Sequence, residues 1–248
     1  LNIFDNFQAL QPQEVEAAAD GTFPFGGLPT GSQYAFLLST IYGDASFGSD
    51  IVRFGEGETT LDVPLQVFDS GDTPGEITVS LAQWFVDTQE GALLVGELYR
   101  INHESDTVYT GGEEVAPGKR AVLRFPLPDG VMSVALDGGE IGERFIRTAD
   151  GIVDTQPLAP GGAQVLLRYL LPFDGSDAVL SHPVGYPVDR LNVLVVDGPE
   201  VTTDLQNVGV QTAAEQQWNS FEGANLPAVQ EISLPLGGLA GAQGGGGG

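Results

Sequence analysis

Apolar and polar residues alternate with a period of two along much of the chain, the spacing that sends successive side chains to opposite faces of a strand. The alternation runs through Ile77, Val79, Leu81 and Phe85; through Leu93, Val95, Tyr99 and Ile101; through Leu123, Phe125 and Leu127; and through Val165, Leu167, Tyr169 and Leu171. Arg124 and Arg168 fall on the opposite faces, so these runs predict half-buried strands with one side toward a core and one toward water. Residues 191–196, Leu-Asn-Val-Leu-Val-Val, are apolar at nearly every position and predict a strand covered on both faces. Gly and Pro punctuate the runs roughly every 8 to 12 residues, the rhythm of short strands joined by turns. Asp-Gly, a dipeptide suited to tight turns, occurs at 20–21, 129–130, 137–138, 150–151, 174–175 and 197–198. The pattern predicts an all-β protein of meander or Greek-key type. Glu14 to Ala19 and Ala213 to Gln217 are the two stretches with local helical character.

Length and punctuation divide the chain. Its 248 residues suffice for two ordinary domains, each able to bury a core without covalent staples. The polar stretch Asp69-Ser70-Gly71-Asp72-Thr73-Pro74-Gly75 is the best boundary. The expectation is two antiparallel β-sandwich domains in tandem, at 1–70 and 76–236, followed at 237–248 by a Gly-rich linker or tail.

Charge narrows the partners. Asp and Glu number 34 against nine Lys and Arg, for a formal charge of −25, and Lys119 is the only lysine. Nucleic-acid binding requires clustered cations that release counterions, whereas Arg120 with Arg124, and Arg144 with Arg147, are isolated pairs in an acidic background. The same field disfavours anionic lipid headgroups. No stretch approaches the roughly 18 to 20 apolar residues of a membrane helix, so no direct membrane insertion is expected in this segment. Without cysteine, disulfides, zinc-thiolate sites and thiol nucleophiles are excluded. Strong acidity suits an extracellular or salty setting.

Two stretches carry family likenesses. Residues 19–34, Ala-Asp-Gly-Thr-Phe-Pro-Phe-Gly-Gly-Leu-Pro-Thr-Gly-Ser-Gln-Tyr, resemble the carboxypeptidase regulatory-like, transthyretin-like sandwich: an Asp-Gly turn, a Phe-x-Phe strand, a Leu-Pro-x-Gly turn and a Tyr that opens the next strand. Phe23 and Phe25 would face one core, Gly31 would take a backbone conformation closed to other residues, and Tyr34, Phe36 and Leu38 would alternate into the same core. The resemblance implies a first strand preceding the one at Leu1–Phe4. Residues 76–236 resemble the second half of uncharacterised surface ectodomains of Chloroflexota bacteria, through Glu97-Leu98-Tyr99-Arg100-Ile101-Asn102, Arg144-Phe145-Ile146-Arg147-Thr148 and Tyr169-Leu170-Leu171-Pro172-Phe173 among others. This likeness implies a secreted, cell-surface location, with a membrane anchor after the Gly-rich tail, and supplies no activity.

Catalytic chemistry finds little support. A nucleophilic triad needs a histidine oriented by a carboxylate, and only His103 and His182 are present. His103 reads as a solvated hairpin residue and His182 as a residue before a turn, so no catalytic residue and no cofactor-binding residue is expected. Paired carboxylates for glycoside hydrolysis carry no information among so many acids. Trp84 and Trp218 fit strand positions where packing is the expected use. Calcium, which takes oxygen ligands from loops, has weak candidates in Asp69, Asp72, Asp174 and Asp177, with a third acidic loop at Gly112-Glu113-Glu114; turn chemistry accounts for all three loops, so no metal is expected.

The function expected from these readings is a non-enzymatic extracellular structural or adhesive protein, a component of a filament, sheath or other surface assembly, with protein partners or self-association through β edges. The alternative is a carbohydrate-binding accessory module of a larger enzyme, which would present exposed aromatics such as Tyr42, Phe47 and Tyr109 on one face. A strand missing before Leu1 would leave an open edge, filled by the same chain, by another chain or by nothing.

Overall fold

The computed structural model describes residues 1–43, 45–89, 91–213 and 215–239. Among them every regular element is a strand, and most of the sheets are antiparallel. The two stretches with helical character do not form helices. Residues 14–19 are irregular, and in the second stretch, of which Ala214 lies outside the described residues, Ala213 pairs with Gln216. The chain divides into two compact units, Leu1–Ser70 and Gly71–Gly248.

In the first unit, strand Asn2–Asp5 lies between Gln8–Ala9 and Tyr34–Leu37, antiparallel to both, with Ile3 opposite Phe36. The backbone bonds Leu10 N–H to Ile3 O and Gln13 N–H to Leu1 O extend this pairing. The edge beside Leu1–Phe4 is therefore filled by the same chain. Leu1, Ile3, Phe36 and Leu38 form the core, and Phe23, Phe25, Phe54 and Val63 pack against it. Phe23 and Phe25 keep their expected common side but belong to no strand. The left-handed glycines of this segment are Gly21, at φ 83°, and Gly27, at φ 71°, and not Gly31.

In the second unit a seven-stranded sheet runs, in spatial order, Met132–Leu136, Ala163–Pro172, Ala92–Glu104, Glu76–Gln89, Val188–Val196, Gln216–Leu226 and Gln206–Ala213. Val188–Val196 is parallel to Glu76–Gln89, a pairing that needs a crossover and that a simple meander lacks. Buried residues of this sheet form one cluster with residues of two three-stranded sheets, one built from Leu123–Pro126, Gly151–Asp154 and Phe145–Arg147 and the other from Ala178–Pro183, Glu231–Gly237 and Glu200–Val201.

Most inward phases match the sequence pattern. Leu93, Val95, Tyr99 and Ile101 are buried, as are Val165, Leu167, Tyr169 and Leu171. Glu76–Gln89 departs from it. A bulge between Val79 and Leu81 puts one extra residue in the strand, so the buried series is Val79, Ala82, Trp84 and Val86, and Leu81 and Phe85 move to the other face. Asp150-Gly151 shows why a turn requires glycine: at φ 151°, a Cβ on Gly151 would lie 2.1 Å from the Phe125 carbonyl oxygen. The proposed tail begins later than residue 237, because Gly237 pairs with Glu200 and Leu239 is buried; residues 240–248 of that tail lie outside the described residues.

Candidate functional site

The long strand Ala92–Glu104 turns Leu93, Val95, Glu97, Tyr99, Ile101 and His103 inward in strict alternation. Three of these six, Glu97, Tyr99 and His103, carry polar groups. Glu97, fully buried, accepts three hydrogen bonds: from the Tyr169 hydroxyl at 2.5 Å and His182 Nε2 at 2.8 Å on Oε1, and from the Tyr99 hydroxyl at 2.5 Å on Oε2. Trp84 Nε1 donates to the Tyr99 oxygen at 3.3 Å, and its indole stacks on the His182 ring with centroids 4.5 Å apart. His182 Nδ1 faces the Pro183 carbonyl at 3.2 Å. His182 enters from Ala178–Pro183, so the network ties the large sheet to the strands packed on it.

The electrostatics follow from this geometry. Burial by itself pushes the His182 pKa down; the Glu97 carboxylate, its hydrogen bond and the Pro183 carbonyl oppose that and prevail, leaving the pKa above its ordinary value. Burial, then the Glu97 charge and hydrogen bond, hold the Tyr99 and Tyr169 hydroxyls well above the usual tyrosine range, so both stay neutral donors. Each polar group of the cluster has a protein partner, so the network locks the layers together.

His103, expected in solvent, is likewise buried. Its Nδ1 lies 3.0 Å from the Ala159 carbonyl and its Nε2 2.9 Å from that of Pro74. A neutral ring has one N–H and satisfies one carbonyl; an imidazolium satisfies both. A second buried acid, Asp154, holds Arg144 in a two-point pair at 2.9 and 2.6 Å and accepts the Gln156 N–H, while the guanidinium sits over the Phe145 ring.

The calcium candidates do not come together. Asp69 accepts a hydrogen bond from the Tyr42 hydroxyl, Asp177 one from Ser176, and Asp72 and Asp174 are exposed. Among the described residues no group of three or more His, Asp or Glu could hold a metal ion. In the acidic loop, Glu113 pairs with Arg124 and Glu114 accepts the Gly118 N–H. The glycan platform does not form either, since Phe47 and Tyr109 are buried. Trp84 packs in the core as expected, and Trp218 meets Phe85 edge-on.

An open site exists in the first unit. A cleft of about 840 Å³ lies over Phe36, Leu38 and Phe54, between the segments 21–30 and 59–65. Phe23, Phe25, Leu61, Val63 and several threonines line it, and Asp62 is the one titratable side chain among the lining residues. Burial alternates along 61–66, as along a strand, yet among the described residues neither 23–30 nor 59–68 makes a backbone hydrogen bond.

No protein-family model matches the chain, and no curated protein matches it. Among solved structures it is similar to an M1 zinc metallopeptidase from Deinococcus radiodurans, at 12% identity and a TM-score of 0.41, over 66% of this chain and 42% of that one. The chain thus spans less than half the length of that protein, and a likeness of this degree assigns neither fold nor activity.

Proposed function

We propose that the chain is a non-enzymatic binding and assembly module that works outside the cell, made of two β-sandwich units, the first of carboxypeptidase regulatory-like type. One observation carries the reading. The buried groups capable of acid–base chemistry, Glu97, His182, His103 and Asp154, are engaged by other protein groups, whereas the large cleft is apolar and holds a single carboxylate. Acid–base catalysis needs a titratable group within reach of a bound substrate; an apolar groove with few polar groups serves recognition. A net charge of −25 supports a hydrated exterior setting and argues against nucleic acid. The sandwich reading is supported in the second unit by the single core cluster shared by the large sheet and the two small ones.

Beads carrying the full chain should be retained on immobilised bacterial cell-envelope fragments, while a panel of fluorogenic ester, peptide and glycoside substrates shows no turnover. Turnover abolished by Glu97→Gln or His182→Asn would overturn the proposal.

A further inference from the structure

The cleft of the first unit combines an apolar lining with walls that belong to no sheet. Its floor, Phe36 with Leu38, is buried, Phe36 meeting Phe54 edge-on at 5.4 Å, and the apolar surface that stays open belongs to the half-buried Phe23, Phe25, Leu61 and Val63 around it. Its walls, 23–30 and 59–65, carry backbone N–H and C=O groups that make no backbone hydrogen bond among the described residues, although burial alternates along 61–66 with the period of a strand. The walls are exposed or half-buried, so water holds these groups in the free chain, and an unladdered edge beside apolar surface is a template for another strand. A small apolar ligand would cover the floor and leave the walls unpaired. A peptide strand does both, because its main chain pairs with a wall while alternate side chains drop onto the floor. The wall 59–65 has the length of an ordinary strand.

Charge decides what kind of strand. Asp62 lines the cleft, Asp20 precedes one wall, and Glu56 and Glu58 precede the other; all four are exposed. Arg53 is the only Lys or Arg among residues 1–70. A second copy of a chain bearing −25 would meet like charge at this rim. We infer that the cleft is a β-augmentation site for an extended partner segment with alternating apolar side chains on one face and Lys or Arg on the other. This inference rests on the reading of the chain as a binding module and names the partner chemistry of its cleft.

The test titrates the full chain by calorimetry with the peptide acetyl-Lys-Val-Lys-Val-Lys-Val-Lys-amide, alongside the same peptide N-methylated at alternate backbone nitrogens. The two have equal charge and differ in their ability to form a ladder. Methylation should weaken binding by about tenfold or more, and Thr60→Arg, at an exposed wall position, should do the same. Val210→Lys, on the exposed edge strand Gln206–Ala213 of the second unit, should leave affinity within about twofold of wild type, since it lies outside the cleft. Equal binding of the two peptides would reduce the effect to charge attraction and overturn the inference. So would an effect of Val210→Lys larger than that of Thr60→Arg, or dimerisation of the chain that the peptide fails to reverse. If the peptides fail while chain-coated beads still adhere to envelope fragments, the cleft assignment falls and the binding-module reading stands.

Discussion

Replacing Glu97 with leucine tests the buried network most sharply. The substitution keeps bulk and removes the one acceptor that serves the Tyr99 hydroxyl, the Tyr169 hydroxyl and His182 Nε2. Tyr169 and His182 are 1% and 2% exposed, so water cannot take its place. Each stranded donor costs about 1–3 kcal/mol, and removing one member of a buried ion pair costs about 3–5 kcal/mol. Relief of the carboxylate's own desolvation offsets part of the sum, so the expected loss is about 3–5 kcal/mol. In a unit of this size that lowers Tm by roughly 6–20 °C. Urea unfolding followed by tryptophan emission reports on the second unit alone, because Trp84 and Trp218 are the only tryptophans. Adding Tyr99→Phe, Tyr169→Phe and His182→Leu removes those three donors and leaves Trp84 Nε1 without its acceptor, so the remaining loss should be about 1–3 kcal/mol, smaller than that of the single variant. A single Glu97→Leu variant within about 0.5 kcal/mol of wild type, inside the range of ordinary surface substitutions, would refute the reasoning. A fourfold variant no better than the single one would refute it as well.

Other outcomes follow from the same geometry. Wild-type stability should fall as the solution turns alkaline. The folded His182 pKa is raised, so its contribution is complete below the unfolded value of about 6.5 and is lost as pH rises through the folded one. Tyr99 and Tyr169 add a second loss above about pH 10, where their unfolded counterparts ionise; urea midpoints measured across pH should be flatter in the fourfold variant. His103→Ala leaves the Pro74 and Ala159 carbonyls without their donor and opens a cavity, and should cost about 2–4 kcal/mol by the same unfolding assay. Arg144→Met strands the buried Asp154 carboxylate and should cost about 3 kcal/mol, read as a drop in calorimetric Tm.

The inward positions of the large sheet were legible because strands carry a strict period of two, and the unread part of the network lay in the same pattern. Leu93, Val95, Tyr99 and Ile101 are in phase with Glu97 between them and His103 beyond, and Ala178, Leu180 and Val184 are in phase with His182. Polar neighbours such as Asn102, Glu104 and Asp106 made His103 look like a solvated turn residue, although phase outweighs neighbourhood within a strand that continues to Glu104. The bulge after Val79 could not be read, since an extra residue inverts the alternation and leaves no compositional mark. Nor could the partners of Glu97, as Tyr169 and His182 reach it across 72 and 85 residues of chain. In the first unit, Phe23 and Phe25 marked the apolar side correctly, but alternation announces a strand without saying whether a partner strand lies beside it.

Hydrogen–deuterium exchange of the full chain, alone and with the Lys-Val peptide, tests the central claim of a strand-binding module most directly. In the free chain the amides of 23–30 and 59–68 should exchange rapidly, and those of Ala92–Glu104 slowly, because the former lack backbone partners and the latter are laddered on both sides. Peptide addition should slow exchange in one or both wall segments and leave Gln206–Ala213 unchanged. Walls already protected in the free chain, or protection that appears at Gln206–Ala213 in place of the walls, would contradict the account.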